Sequence, residues 1–149
     1  MASIQIIIGS VTGTALDVGK TAQSIFEGFG DDVILHANFD IARFDPKHAM
    51  LICTSNTGMG DLPANIVPFY EFLTSQYPQI YQSPYGLIDL GDSNYPDFAQ
   101  AGHTIDAALS DLGGRRLGEV FVMDASEIDD HEEAAADWIH QWRRQLEQL

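Results

Sequence analysis

Apolar residues fall along the chain in two alternating patterns. Runs without alternation at positions 4 to 8, 50 to 53 and 85 to 88 predict strands covered on both faces, as a parallel sheet requires. Between them, apolar residues recur at helical spacing. One stripe is Ala15, Val18, Ala22, Ile25 and Phe26, closed by Gly28 and Gly30. Ile66, Phe69, Tyr70 and Leu73 place a helix over Pro63 to Leu73, and Phe98, Ala101, Ile105, Ala108, Leu109 and Leu112 form a third stripe ended by Gly113 and Gly114. Ala135, Trp138, Ile139, Trp142 and Leu146 give the last helix its apolar face. Strands are expected at Ile4 to Gly9, Val33 to Leu35, Met50 to Thr54, Tyr85 to Leu90 and, without interruption, Leu117 to Met123. Strands alternating with helices define a doubly wound α/β fold, five parallel strands with helices on both faces.

In such sheets ligands bind beyond the carboxyl ends of the strands, so the loops there carry the chemistry. The first strand stops at Gly9 and opens into Ser10, Val11, Thr12, Gly13, Thr14 and Ala15 before a helix. Small hydroxyl and glycine residues at a helix N-terminus bring backbone N–H groups and the positive end of the helix dipole to one spot, a seat for a phosphate. After the third strand comes Thr54, Ser55, Asn56, Thr57, Gly58, Met59, Gly60, Asp61, Leu62, Pro63, with two glycines that free the peptide orientation. After the fourth comes Gly91, Asp92, Ser93, Asn94, Tyr95, Pro96, Asp97, Phe98, with an aromatic on which a flat ring can stack. The three loops together describe a seat for a ring joined to a phosphate.

SVTGTA, SNTGMGDLP and GDSNYPDF, in this order and on these strands, resemble the flavin mononucleotide (FMN) loops of flavodoxins. The resemblance covers essentially the whole chain. It is strongest to the short flavodoxin-like proteins of the MioC and YqcA type, through TGMGDLPANIVPFY and RRLGEVFVMDAS, and extends to the FMN domains of diflavin reductases, which share the TGTA ending of the first loop. The resemblance implies strand order 2-1-3-4-5 and FMN as the cofactor. It implies that Ser10, Val11, Thr12, Gly13, Thr14 and Ala15 hold the phosphate, and that Asn56, Thr57, Gly58, Met59 and Gly60 line one side of the ring. Tyr95 would stack on the flavin, with Gly91, Asp92, Ser93 and Asn94 along its polar edge; Phe98 belongs to the same set, with a core position as its other reading. Asp61 is expected to cap the following helix. Two departures stand out. Ala15 replaces a threonine common in flavodoxins, and Thr57 stands where many relatives place an aromatic over the second flavin face, which removes roughly 0.5–1.5 kcal/mol of stacking.

Composition narrows the function. At 149 residues the chain is expected to form one domain, 1–149. Its formal charge of −15 argues against nucleic acid and anionic membranes and favours a basic protein partner. No Lys or Arg occurs between Lys47 and Arg115, so the flavin rim, with Asp61, Asp89, Asp92 and Asp97 nearby, is expected to be negative. The single Cys53 lies in an apolar run and reads as a buried thiol, in keeping with a reducing cytoplasm. His36, His48, His103, His131 and His140 are scattered outside the three loops, and no metal-ligand spacing occurs. A phosphate-regulated receiver lacks its acidic cluster here, and GTALDVGKT has five residues between its glycines where a P-loop needs four.

What remains is the flavin's own one-electron exchange, in a protein that is no enzyme itself. The resemblance implies a cytoplasmic, monomeric carrier that takes electrons from a NAD(P)H-dependent flavodoxin reductase and delivers them to an acceptor redox enzyme, with iron–sulfur and radical enzymes as the class known to relatives. Two alternatives stay open: a small FMN-dependent NAD(P)H:quinone-type reductase, and a flavodoxin-like protein-interaction module with weak FMN binding.

Overall fold

The structure is a computed structural model that describes residues 2–10, 13–56, 60–91, 99–124 and 130–149. Its elements are β1 (Ser3–Gly9), α1 (Thr14–Gly28), β2 (Asp32–His36), β3 (Ala49–Ser55), α2 (Val67–Gln76), β4 (Pro84–Gly91), α3 (Gln100–Asp111), β5 (Arg115–Arg116), β6 (Phe121–Asp124) and α4 (His131–Glu147). The strands pair in parallel in the order β2-β1-β3-β4-β5, with β6 also on β4. This is the expected 2-1-3-4-5 sheet, its fifth position shared by two short segments.

Alternate residues of each central strand serve opposite faces, and both faces are covered. Ile4, Ile6, Ile8, Leu51, Cys53, Ile88 and Leu90 pack with Val18, Ala22 and Phe26 of α1 and Ile139 and Trp142 of α4. Ile7, Met50, Ile52, Tyr85 and Leu87 pack with Phe69 and Leu73 of α2 and Ile105 and Leu109 of α3. Two layers of helix explain why the strands read as unbroken apolar runs.

Two boundaries differ from expectation. The second helix starts at Val67, not Pro63, and residues 63–66 form turns in which Ile66 N–H donates to Pro63 C=O at 3.1 Å. Pro68 then sits in the first turn, where a missing N–H costs nothing; in a helix begun at Pro63 it would fall in the interior. Asp61 therefore does not cap this helix, whose N-cap is Ile66. The last strand is not continuous. β5 pairs with Pro84 and Tyr85, β6 with Ile88 to Gly91, and Gly118 between them takes φ 76°, a left-handed conformation that breaks an extended chain.

Candidate functional site

β1 lies between β2 and β3, so the chain order reverses beyond Gly9 and Ser55, the place where ligands bind in open sheets of this kind. Gly9 is required there because a Cβ would collide with Thr54 Oγ1 and the Ile66 side chain. Ser10 N–H donates to Asn65 Oδ1 (2.9 Å), and Gly13 N–H donates to Ser10 Oγ (2.7 Å). Asn65 in turn donates to Ala37 C=O at 3.1 Å, fastening the loop to the chain beyond β2. Gly13 is the N-cap of α1 at φ 96° and has no side chain with which to cap it; a Cβ there would meet nothing within 4 Å. The first-turn N–H groups of α1 have no intrahelical carbonyl to bond, and Gly13 brings them no side-chain cap. By contrast, α4 is capped by its own Asp130, whose carboxylate accepts from Glu133 N–H at 3.1 Å.

A second cluster joins the roots of the other two loops. Asn56, just past β3, donates from Nδ2 to Asp89 Oδ1 (2.7 Å) and Leu90 C=O (3.1 Å), and its Oδ1 accepts from Ala101 N–H (2.7 Å). Asp89 Oδ2 accepts from Gly102 N–H at 2.9 Å. Gly102 has to be glycine, because a Cβ would run into the Asp89 carboxylate. Asp89 is fully buried. Burial pushes its carboxyl up to about 6, against the pull of the Asn56 and Gly102 hydrogen bonds and of His103.

Of the expected site residues, Ser10, Gly13, Thr14, Ala15, Asn56, Gly60 and Gly91 are described, and all lie at the carboxyl ends of β1, β3 and β4 or at the start of α1. The methyl group of Ala15 is buried in the core, so its offer to an anion is its N–H. Gly60 takes φ 80°, which only glycine adopts freely. Val11, Thr12, Thr57, Gly58, Met59, Asp92, Ser93, Asn94, Tyr95 and Phe98 lie outside the described residues.

The structure corrects one electrostatic expectation and adds two residues. Asp89 is not part of an exposed acidic rim; it is sealed beneath α3. A lone carboxylate in the run YGLIDLG was the signal for a buried partner. Asn65 was missed because a polar residue in a turn carries no periodicity. Other titratable groups are structural. His36 is buried against Gln5 Oε1 at 3.3 Å and stacked on Phe39, and burial lowers it to about 4, so it stays neutral. Burial pushes the Cys53 thiol up to about 12, which leaves no thiolate to react. Among the described residues no group of His, Cys, Asp and Glu could hold a metal ion.

Carboxylates collect at this end. A groove of about 320 Å³ between the N-terminal turns of α1 and α4 is lined by Thr14, Asp17, Val18, Asp130, His131 and Glu132. Arg115 and Arg116 sit at the other end of the sheet, beside the start of β4, and Arg116 is held by Asp106 at 2.6 Å.

A doubly wound sheet with a helix N-terminus at the switch point that takes no side-chain cap from Gly13 is an architecture on which phosphate-bearing ligands bind. Comparison with known proteins makes this specific. The family model described as Flavodoxin matches residues 6–138. Flavodoxin YqcA of Pectobacterium carotovorum subsp. carotovorum is 37% identical over 95% of this chain and 95% of its own length. The flavoprotein alpha-component of NADPH sulfite reductase from Bacillus subtilis is 31% identical over 91% of this chain, which spans 22% of that longer protein. A solved flavodoxin variant from Pseudomonas aeruginosa superposes with a TM-score of 0.89 at 35% identity, over 97% of this chain and 99% of that one. The chain belongs to the flavodoxin family, and is an FMN-binding electron-transfer protein. Among the described residues, Gly13 is left-handed and a Cβ there would meet nothing within 4 Å, so the start of α1 has room for a phosphate such as that of FMN.

Proposed function

We propose that the chain acts as one domain, a short-chain flavodoxin that carries single electrons between a NAD(P)H-dependent flavoprotein reductase and an acceptor redox enzyme. The observation that carries this reading is the α1 N-terminus, to which Gly13 brings no side-chain cap, while Gly13 N–H is bonded to Ser10 Oγ and Ser10 N–H to Asn65. FMN bound there supplies one-electron redox chemistry. Ser10, Val11, Thr12, Gly13, Thr14 and Ala15 hold its phosphate through hydroxyl and N–H groups; no Lys or Arg lies in this loop. Asn56 to Gly60 and Gly91 to Tyr95, with Phe98, surround its ring. The protein's own part is to bind, orient and set the potential. The carboxylates around this end oppose adding negative charge to the ring and so lower its potential. The protein is no enzyme by itself, works in the cytoplasm and is a monomer, as suits a mobile carrier. No helix among the described residues is long and apolar enough to cross a membrane.

Titrating apo-protein with FMN while following flavin fluorescence, and repeating this with riboflavin, tests the reading. Saturable quenching by FMN with binding of riboflavin weaker by about tenfold or more is expected, because riboflavin lacks the anion that the helix N-terminus stabilises. No quenching at high micromolar FMN would overturn it. Reduction of the holo-protein by NADPH alone would favour the small reductase instead.

A further inference from the structure

Resting on the FMN reading, we propose that Asp89 and Asn56 are positioning residues for the flavin, a buried pair that fastens the root of the 57–60 loop to the first turn of α3 and makes flavin affinity depend on the Asp89 proton. Asn56 directly precedes Thr57, and Asp89 stands two positions before Gly91, where the next flavin loop begins. Their contacts cross three elements. Asn56 reaches β4 through Asp89 and Leu90 C=O and reaches α3 through Ala101 N–H, while Asp89 reaches α3 through Gly102 N–H. Asn56 and Asp89, near the ends of the two strands that lead into these loops, thus share one hydrogen-bonded node, through which a change at Asp89 is expected to reach the flavin.

The node has a built-in chemical sensitivity. Both partners of the Asp89 carboxylate are donors, Asn56 Nδ2 and Gly102 N, and each takes one of its two oxygens. The ionised carboxylate accepts both; a protonated carboxyl turns one oxygen into a donor and confronts an N–H with an O–H. Protonation therefore loosens one arm of the node. Burial brings this event close to neutral pH. Among the described residues the titratable group facing Asp89 from α3 is His103, whose electrostatic influence favours the ionised carboxylate. Thr54 of β3 and Val122 of β6 are its register neighbours and do not ionise in this range. Farther along the same face, Tyr85 is bonded to Asp106, which holds Arg116, and burial raises its phenol well above neutral pH.

The experiment compares the FMN dissociation constants of wild type and Asp89→Asn by fluorescence quenching, from about pH 8 to about pH 5. The FMN phosphate titrates in the same range in both proteins, so the ratio of the two constants isolates residue 89. Asparagine offers one acceptor oxygen at every pH, like the protonated acid. Wild type is expected to bind about fivefold tighter at the alkaline end, with the advantage shrinking to within about twofold at the acid end. Asn56→Ala, which leaves the carboxylate with one donor, shifts the wild-type fall in affinity to higher pH by about half a unit and serves if Asp89→Asn fails to fold. A ratio constant across the range, or an Asn56→Ala profile that keeps the wild-type midpoint, overturns the proposal while leaving the FMN reading intact. Failure of wild type to bind FMN even at the alkaline end overturns both.

Discussion

Two aspartates with no side-chain exposure show how neighbours decide what a buried charge does. Asp31 accepts from Arg143 Nε at 2.6 Å, Arg143 Nη2 at 2.8 Å and Ala2 N–H at 2.8 Å. Burial works against its charge, but the Arg143 hydrogen bonds, the Ala2 N–H and the guanidinium charge outweigh it and hold the carboxyl below its ordinary value. Asp89 has only neutral donors bonded to it, and burial prevails. The stability consequences have opposite signs. Asp31 stabilises the fold above its unfolded value, and this contribution is lost as pH falls through its lower folded value; Asp89 holds its proton more tightly when folded, so its ionisation subtracts stability as pH rises through about 6. The Arg143 guanidinium also lies 5.0 Å from the Phe29 ring centroid, so the pair locks α4 onto the turn between α1 and β2. Arg143→Ala leaves Asp31 charged and unpaired in the interior, and urea unfolding near neutral pH is expected to show a loss of about 3–5 kcal/mol. A loss below about 1 kcal/mol would mean that the pair merely occupies space. Neither partner announces itself in the sequence, where Asp31 follows a glycine turn and Arg143 sits on an amphipathic helix. A pairing across more than a hundred residues leaves no local pattern.

Elements were far more legible than pairings, because periodicity records burial. The runs at 4 to 8, 50 to 53 and 85 to 88 became β1, β3 and β4, and the stripes became α1, α3 and α4 within a few residues at their ends. What failed was punctuation. Pro68 marked the start of α2, but Pro63 offered an earlier one, and Gly118 split the last strand although the apolar residues on either side continue its pattern. The loop after β1 stood out in the sequence by its composition of Ser, Thr and Gly; the residue that fastens Ser10 did not. Asn65 lies in the turns ahead of α2 and spends its amide on Ser10 N–H and Ala37 C=O. Asn65→Ala removes both bonds. FMN affinity is expected to fall by about three- to thirtyfold, the worth of one to two net hydrogen bonds, with riboflavin affected less. Equal losses for the two ligands would place Asn65 under the whole site, not under the phosphate seat alone.

At the scale of the molecule, charge is the property the sequence states most plainly. The formal charge is −15, with seven Lys and Arg in all. Two of these are already spoken for: Arg143 is sealed against Asp31 and Arg116 is held by Asp106. Arg115 and Arg116 lie at the far end of the sheet from the β1 and β3 loops, while Asp17, Asp130 and Glu132 gather at the near end. A partner approaching the end where we place the flavin is therefore expected to meet a negative field that orients it before contact, so that a reductase with a basic docking face would be drawn in faster than diffusion alone provides. Such steering is long-ranged and screened, with a Debye length of about 10 Å at 0.1 M salt. Stopped-flow measurement of flavin reduction by such a reductase is expected to show a second-order rate that falls by about tenfold or more between roughly 0.02 M and 0.3 M salt. Flavin fluorescence followed in parallel separates this from salt-induced release of FMN, since released flavin regains its emission while a slowed encounter leaves it quenched. A rate that is flat or rises with salt would show that the partner docks through apolar contacts and that the acidic end serves only to set the potential of the ring.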